Sequence, residues 1–149
     1  MPDDARIVLI DAHSQIYRGF HAIPELTNER GEPTNALFAM ARFLLLLEDK
    51  IEHTHGAAVF DKGLPEKRLA ALPSYKATRP PMPDKLRAQM APIREWLEIA
   101  GWTIIEREGD EADDLIAGIV DAREGIETYV VSSDKDLGQL VTDDVYQLV

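Results

Sequence analysis

The chain has 149 residues, 45% apolar and 29% charged, a composition that suits one soluble domain with a single buried core. It has no cysteine, which excludes disulfides, thiolate metal sites and cysteine nucleophiles. Its net charge of −11 is the wrong sign for a protein that grips nucleic acid through its whole surface, unless the acids are gathered where cations neutralise them and the bases are gathered elsewhere.

The first predicted element is a buried strand, Arg6-Ile7-Val8-Leu9-Ile10. A loop with Pro24, Gly31 and Pro33 is expected next, then a helix over about residues 35–48, with Leu37, Met40, Leu44 and Leu47 at helical spacing. Gly56-Ala57-Ala58-Val59-Phe60 reads as a second strand. Residues 62–83 contain Pro65, Pro73, Pro80, Pro81 and Pro83, which predicts an irregular or only locally helical segment. A helix over 84–100 follows, with Leu86, Met90, Ile93 and Leu97 on one side, Gly101 beyond its end, and a kink or restart at Pro92. Trp102-Thr103-Ile104-Ile105 is the third strand, and residues 113–123 form a helix with Leu115, Ile116, Ile119 and Val120 inward. Glu127 to Ser132 is the fourth strand, residues 136–140 a short helix, and Val145 to Val149 the fifth strand. This alternation predicts an α/β fold with a mostly parallel five-stranded sheet covered on both faces. The longest dense apolar run, Phe43 to Leu47, is too short to span a bilayer, and the first residues lack a signal-peptide pattern, so the cytoplasm is the expected compartment.

The acids follow the strands. Ligands of parallel α/β sheets bind outside the carboxyl ends of the strands. Asp11 follows the first strand and Asp61 the second. Glu111 and Asp113 lie after the third, with Asp114 within reach, and Asp134 and Asp136 follow the fourth. In extended chain, residues two apart point the same way, so Glu111 with Asp113, and Asp134 with Asp136, can each aim two carboxylates at one point, provided Glu111 precedes the first helical turn. Asp113 then falls near the helix N-cap, where the dipole favours its charge. So many carboxylates repel one another unless protonated or offset by cations. Oxygen ligands select Mg²⁺, Mn²⁺ or Ca²⁺, and this number of acids points to two ions, about 3.5–4 Å apart in the usual two-metal arrangement for attack at phosphorus. Taken singly, each acid is as readily a turn residue or a helix cap; the joint pattern carries the argument. Asp143 and Asp144 read as plain turn acids.

Residues 62–83 hold Lys62, Lys67, Arg68, Lys76 and Arg79 against one acid, Glu66. A cationic segment beside an acidic metal site would draw a phosphodiester strand towards it, and Tyr75 next to Lys76 offers a base-stacking face beside a phosphate contact. The bland alternative is a solvated loop rich in lysine. Arg18 is a phosphate contact or a surface ion pair. His13 and His21 read as packed or hydrogen-bonded, His53 and His55 as surface residues. There is no Gly-rich phosphate loop, nucleophile elbow or Walker motif.

The segments Leu9-Ile10-Asp11-Ala12-His13, Tyr17-Arg18, Phe20-His21-Ala22, Arg30 to Ala36, Val59-Phe60-Asp61, Tyr75-Lys76-Ala77-Thr78-Arg79, Gly109 to Asp114 and Ser133-Asp134-Lys135-Asp136-Leu137 together resemble the 5′→3′ exonuclease domain of bacterial DNA polymerase I, within the flap endonuclease family. The resemblance covers essentially the whole chain. It implies a PIN-like, resolvase-like α/β/α sandwich over residues 1–149 that cuts 5′ flaps and nicked duplexes with Mg²⁺ or Mn²⁺ in DNA replication and repair. It implies that Asp11, Asp61, Glu111, Asp113, Asp114, Asp134 and Asp136 are metal ligands. Tyr75, Lys76 and Arg79 would belong to an arch that engages single-stranded 5′ ends, with Lys76 also at the catalytic centre and Arg18 near substrate phosphates. The family continues into a helix–hairpin–helix-like region with further metal-site aspartates, which has no counterpart here, so activity of this chain alone is an open expectation. A polymerase domain in the same or another chain is an expected partner, and a monomer the expected state. The rival readings are a PIN-type ribonuclease, complete at about this length, and a non-catalytic DNA-binding module.

Overall fold

The structure, a computed structural model, describes residues 5–62, 82–123 and 125–148. Five strands form one sheet: β1 (Arg6–Asp11), β2 (His55–Val59), β3 (Thr103–Ile105), β4 (Glu127–Val131) and β5 (Val145–Leu148). Their order is β3-β2-β1-β4-β5, and every pairing is parallel. The helices are α1 (Ala12–Ala22), α2 (Asn35–Lys50), α3 (Asp84–Ile99) and α4 (Ala112–Ala122), with a 3-10 turn at Lys135–Leu140.

Alternating side chains of the strands build two cores, as the pleat requires. Val8, Ile10, Ala58 and Phe60 face α1, α2 and α3, where Ile16, Met40, Leu44, Leu86, Ile93 and Leu97 are buried. Leu9, Ala57, Val59, Val130 and Val145 face α4 and the 3-10 turn, where Ile116, Val120 and Leu137 are buried. The result is a three-layer α/β/α sandwich. The sheet grows from β1 to β2 and β3 in one direction, then resumes on the other side of β1 with β4 and β5. The strand order therefore reverses between β1 and β4, and at such a switch point the loops leave a crevice beyond the carboxyl ends. Among the described residues no helix is long and apolar enough to cross a membrane.

Two sequence expectations need correction. Residues 12–22, expected within a loop, form α1 directly after β1. Their apolar residues are few, but Ala12 and Ile16 are fully buried and Phe20 packs on the same core, a spacing of four that fits one helical face. The true loop, 23–34, is held by Asn28, whose Oδ1 accepts the N–H groups of Arg30 and Glu32, both at 2.9 Å, with Gly31 at φ 79°. The helix does not restart at Pro92: α3 runs through it without a break, and Pro92 lies on the exposed side, where water can serve the carbonyl that loses its partner.

The start of α2 is capped from another helix. Thr34 makes no side-chain cap; instead Gln89 of α3 accepts from Ala36 N–H at 2.8 Å and Leu37 N–H at 3.0 Å. Gln89 Nε2 donates to Asn35 Oδ1 at 2.8 Å, and Asn35 Nδ2 donates to the carbonyls of Phe20 and Ile23 at the end of α1. Two buried amides thus lock the three helices of this layer together, and α3 begins just after Met82, a wall of the site.

Candidate metal centre

Beyond the carboxyl ends of the strands lies a cleft of about 520 Å³, lined by Asp11, His13, Ser14, Tyr17, Asp61, Met82, Glu111, Ala112, Asp113 and Asp134. Local folding explains how each acid gets there. Asp11 ends β1 and is the N-cap of α1, so the chain turns at once from the sheet into the helix. Asp61 leaves β2 in a loop tied to the loop after β3 by backbone bonds from Lys62 N–H to Asp110 O at 3.4 Å and Gly109 N–H to Lys62 O at 2.9 Å. Asp61 Oδ1 accepts the N–H of Ala112, the first residue of α4, at 2.6 Å. Glu111, extended at φ −88° and ψ 154°, precedes the first turn of α4, with Asp113 and Asp114 inside that turn. Asp134 is the N-cap of the 3-10 turn and accepts from Asp136 N–H at 2.9 Å.

Carboxylate oxygens of Glu111, Asp113 and Asp114 lie within 4.8 Å of one another. All three donors are hard oxygens, a set that fits Mg²⁺ or Mn²⁺ with retained waters better than a tetrahedral zinc site. Asp11, Asp61 and Asp134 come to the same cleft from three other loops. Asp114 and Asp136 are exposed and are not among the described residues that line it. Arg18 is exposed on α1, one turn beyond Ser14 on the same face. Tyr75, Lys76 and Arg79, and with them most of the basic stretch, lie outside the described residues.

The electrostatics match an acidic crevice. Burial pushes the Asp11 carboxyl above the usual aspartate range, and the charge of Asp61 pushes it further; the Ser132 hydroxyl, the Ser14 N–H and His13 pull the other way. Asp11 is 9% exposed and Glu111 6%, so neither carboxylate has much water to share.

Several cleft residues carried no assigned role in the sequence. His13 was expected only to be packed or hydrogen-bonded; its Nδ1 lies 3.0 Å from Asp61 Oδ2, and its ring stands edge-on to Phe60 at 5.5 Å. The Asp61 N–H also approaches Nδ1, at 3.2 Å, but one ring nitrogen cannot both accept there and donate to the carboxylate. Donation to the charged oxygen is the stronger arrangement. Ser132, buried at the end of β4, donates to Asp11 Oδ2 at 2.9 Å, and Ser14 and Ser133 bring their hydroxyls to 3.4 Å. Tyr17 and Met82 complete the walls. His13, Tyr17 and Ser133 fall within segments that carry the family resemblance and Ser132 directly follows a strand, whereas nothing in the sequence marked Met82.

A family model described as 5′-3′ exonuclease, N-terminal resolvase-like domain, matches residues 6–149. A 5′-3′ exonuclease of Aquifex aeolicus is 38% identical over 141 residues, which are 93% of this chain and 49% of that protein. DNA polymerase I of Bacillus subtilis is 38% identical over 145 residues, 96% of this chain and 16% of that protein. The chain thus spans half or less of the length of these relatives. Among solved structures, the flap endonuclease of bacteriophage T5, in complex with DNA and metal ions, superposes with a TM-score of 0.65 at 20% identity, covering 96% of this chain and 54% of that one; the likeness establishes the shared fold.

Proposed function

The chain belongs to the family of 5′-3′ exonuclease N-terminal resolvase-like domains, and from that premise we propose that it is the catalytic core of a 5′-nuclease that hydrolyses DNA phosphodiesters at 5′ ends and flaps. One observation supports this reading above the others: carboxylates from the loops after β1, β2, β3 and β4 line one cleft at the switch point of the sheet. In this reading Asp11, Asp61, Glu111, Asp113, Asp114, Asp134 and Asp136 hold two divalent cations, Mg²⁺ or Mn²⁺. Such ions, when bound, activate a water and offset charge at phosphorus during in-line displacement. The chain's own contribution is position. Asp61, pinned by the Ala112 N–H, joins the β2 loop to α4, and Glu111 stands at the helix start, so the acids keep their places before substrate arrives.

Arg18, Lys76 and Arg79 contact substrate phosphates, Tyr75 stacks on a base, and Lys76 reaches the reacting phosphodiester. The polymerase relative suggests an attached or associated polymerase domain, and we place the protein in the cytoplasm as a monomer. The first prediction tests the centre. Asp134→Ala abolishes Mg²⁺-dependent cutting of a 5′-flap duplex, assayed with this chain alone and joined to the C-terminal half of the Aquifex relative. Cutting at the wild-type rate by that variant rejects the assignment. Single-stranded RNA run in parallel stays intact; its preferential cleavage would make the protein a ribonuclease of the same fold. Mn²⁺ binding without turnover in either form would make it a binding module.

A further inference from the structure

Ser132 directly follows β4, just before the turn that carries Asp134, and its side chain is fully buried. Its hydroxyl joins two of the acids. It donates to Asp11 Oδ2 at 2.9 Å and accepts the N–H of Asp134 at 3.1 Å. An amide N–H only donates and a carboxylate only accepts, so the hydroxyl takes the Asp134 N–H on its oxygen and gives its proton to Asp11. The same turn is held from its other side by Gln147 of β5. Gln147 Nε2 donates to Ser132 O at 3.0 Å and to Asp134 O at 2.8 Å. The turn therefore has a fixed place, and through Ser132 that place is transmitted to Asp11 across the β1–β4 crevice.

We propose that Ser132 is a positioning residue of the metal centre, arresting the Asp11 carboxylate against the Asp134 turn so that the two acids keep a set spacing. The proposal rests on the metal reading above. A carboxylate with one oxygen already committed to a buried hydroxyl cannot rotate away from an incoming cation, and partners of this kind orient metal ligands. Ser132→Ala removes the tie and leaves both the Asp11 oxygen and the Asp134 N–H without their partner.

The test is calorimetric titration of the full 149-residue chain with Mn²⁺, without substrate, alongside thermal melts of the metal-free proteins. Ser132→Ala is expected to bind Mn²⁺ about 10–100-fold more weakly than wild type. Ser132→Thr, which keeps the hydroxyl, restores most of the affinity. Wild-type affinity in Ser132→Ala overturns the proposal, even if its metal-free melting midpoint falls, because the serine would then serve packing alone. Equal loss in the alanine and threonine variants overturns it too, since the hydroxyl would not be the cause. If the alanine variant does not fold, Ser132→Cys replaces it, and wild-type affinity there has the same meaning. Absence of Mn²⁺ binding by the wild-type chain removes the metal reading together with this one, whereas binding that Ser132→Ala leaves unchanged removes this one alone.

Discussion

Gln89 is 1% exposed, yet its side-chain amide closes the start of α2 and holds Asn35. Replacement by leucine keeps the volume but strands two N–H groups and a carbonyl oxygen. Each buried polar group left without a partner costs about 1–3 kcal/mol, so we expect Gln89→Leu to lose about 2–4 kcal/mol in urea unfolding after partial relaxation. An unchanged midpoint would contradict this account. Glu106 is a second case. Its hydrogen bonds to the Arg94 guanidinium, at 2.7 and 3.0 Å, hold its carboxyl below the usual glutamate range. A lowered folded value means that Glu106 contributes stability above its ordinary pKa near 4.5, lost as pH falls through the folded value. Glu106→Gln should therefore be about 1 kcal/mol less stable than wild type at pH 7, with the gap closing in acid. A gap that persists undiminished at low pH would show that the charge is not its source. The acids of the cleft were legible only as a set: each alone reads as a turn or cap residue, but the loops after four strands bring them to one rim. Ser132 and His13 were not, because their partners, Asp11 and Asp61, become neighbours only once β4 and β2 lie on either side of β1.

Elements with a strong period were readable in the sequence, and α1 was not. The helices α2, α3 and α4 bury Met40, Leu44, Leu86, Ile93, Leu97, Ile116 and Val120 at the expected spacing. In α1 the stripe is thin, two histidines and a glycine interrupt it, and the packing of α2 decides the outcome. Gly19 shows how close that packing is: a Cβ there would stand 2.6 Å from Ala39 Cβ. Glycine to alanine inside a helix ordinarily stabilises by about 1 kcal/mol. Overpacking ordinarily costs about 1–3 kcal/mol, so the clash wins and Gly19→Ala is expected to lower the melting midpoint. A rise would mean that α1 and α2 can part without cost. Gly56 has the same role in β2, where a Cβ would meet the Trp102 ring at 2.6 Å. That indole also donates to Glu48 at 3.0 Å, so one bulky ring ties α2 to the entry of β3.

For the whole molecule, the net charge of −11 has a local meaning: part of it is concentrated at one end of the sheet, where a cation would both fill the site and relieve repulsion. Ligands that bind only the folded state stabilise it by about 2.7 kcal/mol per site at a hundredfold excess over Kd. We therefore expect saturating Mn²⁺ to raise the melting midpoint by about 5–10 °C, EDTA to reverse the rise, and Asp134→Ala to blunt it. No change in the wild-type midpoint with Mn²⁺ would speak against the centre. The alternating pattern made the layered sheet readable, but the reversal of strand order that brings Asp11 beside Ser132 is a property of topology, which local periodicity does not encode.

That reversal has a temporal consequence. Asp11 stands near one end of the sequence, Asp134 near the other, and the brace on Asp134 comes from Gln147 on β5. A chain whose outer strands have not yet docked has the same carboxylates but no shared cleft for them to line. The cleft is thus a product of the finished sheet, and no single stretch of the chain carries it alone.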